Sequence, residues 1–373
     1  MAKYKLGDIC EIVSGSTPKT SIEEYWDGDI KWITPAEIND DTYIVTDSVR
    51  KITDLGAKKT GLSPFPEGTV ILSSRAPIGK VAIAGCAMCC NQGFKNLICS
   101  EKILNKYLYW FLKGNTSFLN SLGRGTTFKE ISKSIVSQIE INVPEIEYQK
   151  EAADILEKVS EVIYLRKQEL SALDNLIKAR FVEMFGDSVT NPKGLPIVTL
   201  GELSELITKG ASPSWQGFSY TDDSSQTIFV TSENVREGYI DLSFPKYIED
   251  GFNEKQKKSV LHRGDFLINI VGASIGRAAQ FNLDCKANMN QAAALVRVND
   301  SRVRDKYLLT YLNSDRAQRM YDSMKSDTGR ANLSLQDISD LLILLPNVEQ
   351  QIEFEIFVKQ VDKSKVTVQK AFE

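Results

Sequence analysis

Cysteine and histidine are the first residue types to weigh in this chain, because together they can bind zinc. Cys86 and Cys89 form one C-x-x-C pair. A zinc site needs a second such pair or several histidines, and the chain has a single histidine, His262. We therefore expect no metal site, and we expect the six cysteines to be reduced thiols that are mostly buried. One histidine also leaves few options for a catalytic triad.

Phosphate binding and acid–base chemistry find no better support. The turn from Gly272 to Arg277 has the wrong spacing for a phosphate-binding loop, and it lacks the Lys-Ser/Thr that such a loop requires. Paired acids such as Asp40-Asp41 and Asp222-Asp223 lie in polar stretches where solvation explains them. The sequence therefore predicts a binding protein with no catalytic residues and no cofactor of its own.

Composition is that of an ordinary globular protein. Among 373 residues, 42% are hydrophobic and 25% are charged, which predicts two or three folded domains. No apolar run is long enough to span a membrane, and the N-terminus lacks a signal-peptide core, so we expect a cytoplasmic protein. The net charge of −4 means that any nucleic acid would have to be bound by local basic patches.

A series of short matches recurs in the same order in the two halves of the chain. It begins with Leu6-Gly7-Asp8-Ile9, which returns as Leu200-Gly201-Glu202-Leu203, and it ends with PEIEYQ at 144–149, which returns as PNVEQQ at 346–351. Near the end, Glu130-Ile131-Ser132 is matched to Asp337-Ile338-Ser339, so that the offset between copies drifts from 194 to 207. Two copies of this length predict a duplicated domain related by a pseudo-two-fold axis.

Each copy is followed by a segment with the pattern of a long helix. Residues 147–185 contain no glycine or proline, and Gly186 marks the end of the helix. Apolar residues in a 4–3 spacing predict a coiled-coil seam, and antiparallel pairing of the two helices would bury both stripes. The predicted seam comprises Ala152, Leu156, Val159, Ile163, Leu170, Leu173 and Ile177, with Phe354, Val358, Val361 and Val368 in the shorter C-terminal copy.

The remaining segments mix strand-like and helix-like patterns. Strands are expected at 30–33, 70–72, 80–83 and 139–143, and helices at 102–113 and 305–319. We predict an α+β fold with two similar globular domains joined by two long antiparallel helices. The predicted divisions are 1–145 for the first domain, 146–186 for the central helix, 187–345 for the second domain and 346–373 for the C-terminal helix.

Taken together, these features resemble the specificity subunits of type I restriction–modification enzymes. The resemblance covers essentially the whole chain and includes Tyr25-Trp26-Asp27-Gly28, the segment from Ser74 to Lys80, and P-x-x-E-x-Q before each long helix. It implies two target recognition domains, each reading one half of a bipartite DNA site. It also implies that the helices set the spacing and dock two adenine methyltransferase subunits, which motor-nuclease (restriction) subunits can join in host defence. S-adenosylmethionine would be used by the methyltransferase partner.

If the domains read DNA, arginine, lysine and asparagine in glycine-containing turns are the side chains suited to base edges and phosphates. The expected DNA-binding residues are Arg75, Lys80, Arg124, Thr126, Lys129, Arg277, Arg330 and Asn332, with weaker cases at Lys19 and Lys209. Trp26 and Trp32 are expected in the core. Asn91-Gln92 and Asn290-Gln291 are expected to be scaffold, because the two domains should read different bases.

Two alternatives stay open at the level of sequence. The same duplicated design fits a stand-alone bipartite DNA-binding regulator, and it fits a coiled-coil scaffold that binds proteins but no DNA. The acidic net charge favours the scaffold, whereas the doubled motifs favour the specificity subunit.

Overall fold

The computed structural model describes residues 2–75, 77–125, 129–186, 190–324 and 332–370. The chain forms two compact units, Met1–Leu165 and Arg166–Glu373, which divide inside the long central helix. Each unit combines helices with small sheets around its own buried clusters. The predicted α+β class is confirmed.

Unit 1 contains three small sheets. Its strands are β1 (Ala2–Lys5), β2 (Cys10–Ser14), β3 (Trp26–Ile33), β4 (Ile44–Val45), β5 (Arg50–Ile52), β6 (Val70–Leu72), β7 (Val81–Ala84), β8 (Cys89–Cys90), β9 (Lys95–Cys99) and β10 (Glu140–Val143). Its helices are α1 (Leu6–Ile9), α2 (Asp54–Thr60), α3 (Asn105–Gly114), α4 (Thr116–Ser121), α5 (Lys133–Ser137) and the first half of α6 (Ile146–Phe185). The sheets run β2-β9-β6-β7-β4, β5-β3-β8 and β1-β10.

Unit 2 repeats this plan. Its strands are β11 (Ile197–Thr199), β12 (Ser204–Lys209), β13 (Tyr220–Thr221), β14 (Thr227–Val230), β15 (Tyr247–Ile248), β16 (Phe266–Asn269), β17 (Ala278–Gln280), β18 (Ala287–Met289), β19 (Ala293–Val298) and β20 (Leu342–Leu344). Its helices are α7 (Leu200–Leu203), α8 (Gly251–Lys255), α9 (Asp305–Leu312), α10 (Asp315–Met324), α11 (Leu335–Ser339) and α12 (Val348–Lys370). The sheets run β12-β19-β16-β17, β13-β15-β14-β18 and β11-β20.

Close backbone approaches show that the two copies fold alike. A Cβ atom on Gly15 would overlap the carbonyl oxygens of Cys90 and Asn91, and one on Gly210 would overlap that of Met289. Gly79 and Gly276 both have positive φ, 94° and 89°, in the turns after β6 and β16. Only glycine meets these two demands without strain.

One sequence match is corrected by the structure. Ile131 N donates to Ser74 O in unit 1, and Leu333 N donates to Ile270 O in unit 2, both at 2.9 Å. Ser132 caps α5 and Ser334 caps α11 in the same way. The counterpart of Glu130-Ile131-Ser132 is therefore Asn332-Leu333-Ser334 rather than Asp337-Ile338-Ser339. The offset ends at 202, because the earlier alignment paired the capping residue of one helix with the last residue of the other.

A buried glutamine joins each long helix to its domain. Gln149 Oε1 accepts from Leu104 N at 2.8 Å, and its Nε2 donates to the carbonyls of Lys102 and Pro144. Gln351 makes the same three bonds with Arg304 N and the carbonyls of Arg302 and Pro346. Both glutamines are 0% exposed. The glutamine that ends the P-x-x-E-x-Q pattern thus provides hydrogen-bond partners for a backbone N–H and a carbonyl group just before α3 or α9.

The long helices are present where the sequence predicts them, and Gly186 follows α6 with φ 84°. Within unit 2, the end of α6 packs antiparallel to α12. Phe181 and Phe185 both contact Phe354, with ring centroids 5.5 and 5.6 Å apart. Further along, Lys365 of α12 pairs with Asp174, which lies earlier in α6.

The predicted seam side chains differ in how far they are covered. In α12, Phe354, Val358, Val361 and Val368 are buried. In α6, Ala152, Leu170, Leu173 and Ile177 are half-buried, whereas Leu156, Val159 and Ile163 are exposed. The predicted seam residues of α6 are therefore half-buried in unit 2 and mostly exposed in unit 1.

Two helix predictions need revision. The segment 305–319 forms two helices, because α9 ends at Leu312 and α10 begins at Asp315. Asn313 lies between the two helices. Its side chain accepts from Ala278 N and donates to Ala278 O. In unit 1, α3 begins at Asn105 rather than at residue 102. All six cysteines are free, but the expected burial holds only for Cys10, Cys89 and Cys90, since Cys86 and Cys99 are half-buried and Cys285 is exposed. Trp26 and Trp32 lie in the core as predicted.

Candidate nucleic-acid interface

Unit 1 brings three of the expected basic residues to one place. The turn after β6 places Arg75 opposite Glu130, and Arg124 also bridges Glu130 through two backbone hydrogen bonds of 3.0 and 2.9 Å. Lys129 is the neighbour of Glu130 in the chain. Arg124 and Lys129 are exposed, Arg75 is half-buried, and none of the three makes a side-chain ion pair within the described ranges.

Hydrogen bonds hold the described residues on both sides of the turn that carries Arg75. Ser73 Oγ donates to Pro77 O at 2.7 Å and accepts from Lys80 N at 2.8 Å. Gly79 N donates to Ser73 O at 3.0 Å. Ser74 N also donates to Gly93 O, so the turn is fixed to the loop that contains Asn91. A support of this kind suits a side chain that must reach a base edge at a fixed position.

Two lysines near this turn make contacts within the fold. Lys80 Nζ donates to Pro35 O at 2.9 Å, which uses one of the three N–H donors of its ammonium group. Lys95, which the sequence analysis did not single out, is 7% exposed and contacts Glu130 Oε1 at 3.2 Å and Ser74 Oγ at 3.3 Å. Nothing in the sequence distinguishes Lys95 from a solvated lysine, since its role depends on the β9 register.

The structure does not bring the other unit 1 candidates to this basic cluster, and one of them lies outside the described residues. Lys19 is exposed, and its carbonyl accepts from Trp26 Nε1 at 3.3 Å. Asn91 Oδ1 accepts from Gly93 N at 2.8 Å, which is a scaffold contact. Thr126 lies outside the residues that the structure describes.

Unit 2 has an open cleft of about 490 Å³ beside the equivalent turn. Arg277, directly after Gly276, lies on its wall. Its guanidinium is exposed and makes no ion pair with any residue in the described part of the chain. The lining residues are Ser232, Glu233, Asn234, Arg236, Asp241, Phe244, Lys246, Ser274 and Arg277.

Two buried asparagines fix the walls of the cleft. Asn269 is 0% exposed and donates to Ser232 O at 2.9 Å and to Ser274 Oγ at 3.0 Å. Asn234 accepts from Thr231 N at 2.8 Å and donates to Asp241 O at 2.9 Å. The side chains that face the cleft are therefore held on a preorganised frame.

The cleft has mixed charge. Lys246 Nζ lies 2.9 Å from Glu233 Oε2, and Arg236 Nε lies 3.4 Å from Asp241 Oδ2. The hydrogen bond from Lys246 lowers the pKa of Glu233, and hydrogen bonds from Ser243 lower the pKa of Asp241. The cleft thus offers cationic donors and anionic acceptors together. Arg236 and Lys246 stand in no recognisable motif, so their place in the cleft is not predictable from the sequence.

The other unit 2 candidates are scattered. Asn332 forms a backbone bridge with Val271, in the turn that leads to the cleft. Lys209 lies at the end of β12, opposite Ala294. Arg330 lies outside the described residues, so its predicted role stays a prediction. No described set of three or more His, Cys, Asp or Glu side chains has a metal-binding arrangement. None of the described helices has the length and apolarity needed to cross a membrane.

Comparisons with known proteins give a consistent result. The family model described as "Type I restriction modification DNA specificity domain" matches residues 1–175 and 192–371. A specificity subunit of the type I restriction enzyme MjaIX from Methanocaldococcus jannaschii is 35% identical over 227 residues, covering 56% of this chain and 52% of that protein. This chain thus matches about half the length of that relative. The MjaVIII specificity subunit of the same organism is 21% identical over 96% of this chain and 85% of its own length.

Solved structures agree on the fold. A chain from a type I restriction–modification system, studied for complex assembly and conformational transition, has a TM-score of 0.56 at 20% identity, covering 99% of this chain and 92% of that one. The S subunit from M. genitalium has a TM-score of 0.51 at 15% identity, covering 99% and 91%. With two matching segments that together span nearly all of the sequence, this chain belongs to the family of type I restriction–modification DNA specificity domains and carries two copies of that domain.

Proposed function

We propose that this chain is the non-catalytic DNA-recognition subunit of a type I restriction–modification complex, and that each unit reads one half of a bipartite site in double-stranded DNA. The observation that carries the proposal is the doubled turn. Arg75 in unit 1 and Arg277 in unit 2 occupy different positions of the turns that follow equivalent strands, and buried polar groups hold each turn. Arginine in such a position can donate two hydrogen bonds to guanine in the major groove.

The low net charge fits a reader that depends on local groups and on a partner. Arg75, Arg124 and Lys129 form a small basic cluster in unit 1, whereas Arg277 stands beside two ion pairs in unit 2. Affinity for the phosphate backbone would then come partly from the methyltransferase subunits. S-adenosylmethionine would be bound by those subunits and not by this chain. A cytoplasmic location stays a prediction.

Docking of two adenine methyltransferase subunits by the helices is supported by the open part of α6. Ile155, Val159 and Val162 are 54%, 49% and 56% exposed, an unusual amount of apolar surface for one helix. We propose that a methyltransferase subunit covers these exposed apolar side chains in the assembled complex. We also propose that α6 and α12 together set the spacing between the half-sites. Restriction subunits can then join the same assembly.

Methylome sequencing tests the function directly. A host that carries the chain with its methyltransferase subunit should show modified adenines in a split motif, and deletion of this chain should abolish them. A purified complex of the two proteins that leaves DNA unmethylated would rule out the proposal. Methylation that persists without this chain would instead favour a stand-alone regulator or a scaffold.

A double variant ties the activity to the two turns. Arg75→Ala with Arg277→Ala should abolish methylation of the split motif while leaving the complex assembled. Lys58→Ala with Lys257→Ala is the matched control, because both lysines are exposed and lie outside the two turns. The control should keep full methylation, and an equal loss in both double variants would contradict the assignment of the turns.

A further inference from the structure

Each unit presents one large apolar side chain almost entirely to solvent in the same part of the fold. Val49 is 85% exposed and lies just before β5, and Phe244 is 89% exposed and lies just before β15. The two strands correspond, because each ends in an isoleucine, Ile52 or Ile248, that is 0% exposed. Trp215, at 86%, is comparably exposed but lies before β13, which has no counterpart among the described strands of unit 1.

Phe244 lies beside the unit 2 turn, and Val49 is linked to the unit 1 turn through the loop that contains Glu37. Phe244 lines the unit 2 cleft together with Arg277 and Ser274. Val49 N donates to Glu37 Oε2 at 2.8 Å, and Glu37 belongs to the short 3-10 helix Pro35–Glu37 whose first carbonyl accepts from Lys80. Glu37 caps Thr34 N at 2.8 Å just as Asn234 caps Thr231 N at 2.8 Å, so both loops start from equivalent anchors.

Phe244 is an exposed apolar side chain next to cationic donors, and Val49 occupies the corresponding place in unit 1, an arrangement that suits one feature of duplex DNA. In the major groove, base edges offer hydrogen-bond donors and acceptors, and thymine alone adds an apolar 5-methyl group. We propose that Val49 and Phe244 each contact the 5-methyl group of a thymine, one in each half-site. The inference rests on the proposed function, because it requires that both units read DNA. It adds that a thymine is read through its methyl group on each side.

The test uses the complex of the full chain with its methyltransferase subunit, on a duplex that carries the motif found by methylome sequencing. Each thymine in turn is replaced by deoxyuridine, which removes only the methyl group. We expect one position in each half-site at which binding weakens about fourfold, the equivalent of one buried methyl group.

Variants then assign each position to a side chain. Val49→Ala should remove the sensitivity to deoxyuridine in one half-site and leave the other unchanged, and Phe244→Ala should do the reverse. Leu55→Ala and Ile197→Ala are matched controls, because both side chains are exposed but lie in other elements. Both controls should keep the two sensitive positions.

Several results would overturn the inference. A half-site without thymine, or one in which no deoxyuridine weakens binding, contradicts it for that unit. Variants that keep the wild-type sensitivity contradict it as well. If Val49→Ala or Phe244→Ala instead releases the methyltransferase subunit in the absence of DNA, the exposed side chains form a protein contact. If the wild-type complex ignores the motif altogether, the proposed function itself fails, which is a distinguishable outcome.

Discussion

Units 1 and 2 share their scaffold but differ in the side chains that face outward. Lys80 and Arg277 follow equivalent glycines, Gly79 and Gly276. Lys80 donates to Pro35 O at 2.9 Å, whereas Arg277 extends beside an open cleft and makes no ion pair within the described ranges. The side chain at the same backbone position therefore contacts the fold in one copy and extends beside an open cleft in the other, a difference that fits the proposal of two readers with different sequences.

A second difference lies beneath the surface. Unit 2 holds a bidentate ion pair in which Arg297 contacts Asp265 at 2.7 and 2.8 Å, with Asp265 1% exposed. The corresponding positions in unit 1 are Thr69 and Ile98, and Thr69 Oγ1 donates to Pro66 O. Replacing an ion pair with a hydroxyl group and an apolar side chain keeps the strands in register, because the backbone pairing is the same.

The buried glutamines Gln149 and Gln351 make the same three hydrogen bonds in the two units. Gln149→Ala or Gln351→Ala removes three hydrogen bonds and leaves an amide N–H and two carbonyl groups without that partner. We expect each variant to lower the free energy of unfolding of its own unit by about 3 kcal/mol. Urea unfolding followed by hydrogen exchange of α3 and α9 peptides measures the two losses separately.

Matched substitutions separate this effect from a general loss of helix stability. Lys150→Ala and Gln360→Ala change exposed residues of α6 and α12 and should alter stability by less than about 0.5 kcal/mol. Three of the four tryptophans, Trp26, Trp32 and Trp110, lie in unit 1, so fluorescence in a Trp215→Phe background reports unit 1. If the loss in one unit is less than half of that in the other, the two glutamines are not equivalent.

Sequence patterns predicted the parts of this fold that depend on local or repeated information. The seam spacing and the absence of glycine and proline located α6 to within a residue, and the repeat located the second domain. The break at Asn313 was missed because it depends on a hydrogen bond to Ala278, which is distant in sequence. The alignment of Glu130 was wrong for a different reason, because short polar motifs recur by chance near a helix start.

The candidate site was less accessible from sequence. Arg75 and Arg277 were found because they follow strands and precede or follow a glycine turn. Arg236, Lys246 and the contact of Lys80 with Pro35 were not, because they depend on how loops fold over the sheets. Tertiary contacts, and not residue type, decide which lysine or arginine remains available.

Two single substitutions test whether Arg277 contributes to DNA binding and Lys80 to the stability of unit 1. Arg277→Ala should weaken binding to the cognate duplex about tenfold, because the proposed hydrogen bonds from its guanidinium to a base would be lost. Lys80→Ala should weaken binding by less than about threefold and should instead lower the stability of unit 1, since a turn contact to Pro35 is lost. Fluorescence anisotropy with the labelled duplex and urea unfolding measure the two effects. A larger binding loss for Lys80→Ala would reverse the comparison.

The smallest expected difference concerns acid. Ion pairs and hydrogen bonds lower the pKa of several unit 2 carboxyl groups: Lys286 lowers the pKa of Asp250, and Arg302 lowers that of Asp300. Among the described carboxyl groups of unit 1, a hydrogen bond from Lys3 lowers the pKa of Glu140. A carboxyl group whose pKa is lower in the folded state stabilises the fold above its unfolded pKa, and this contribution is lost as the pH falls through the folded value.

Unit 2 should therefore lose more stability than unit 1 between neutral pH and about pH 3, where carboxyl groups become protonated. The difference should shrink at high salt, because these pairs are exposed and screened. Hydrogen exchange of α9 peptides against α3 peptides across this pH range measures it. Asp250→Asn should lower the stability of unit 2 at neutral pH and reduce its further loss in acid, since the variant has no charge left to neutralise. An equal acid response of both units would show that these surface pairs contribute nothing to the difference between the two copies.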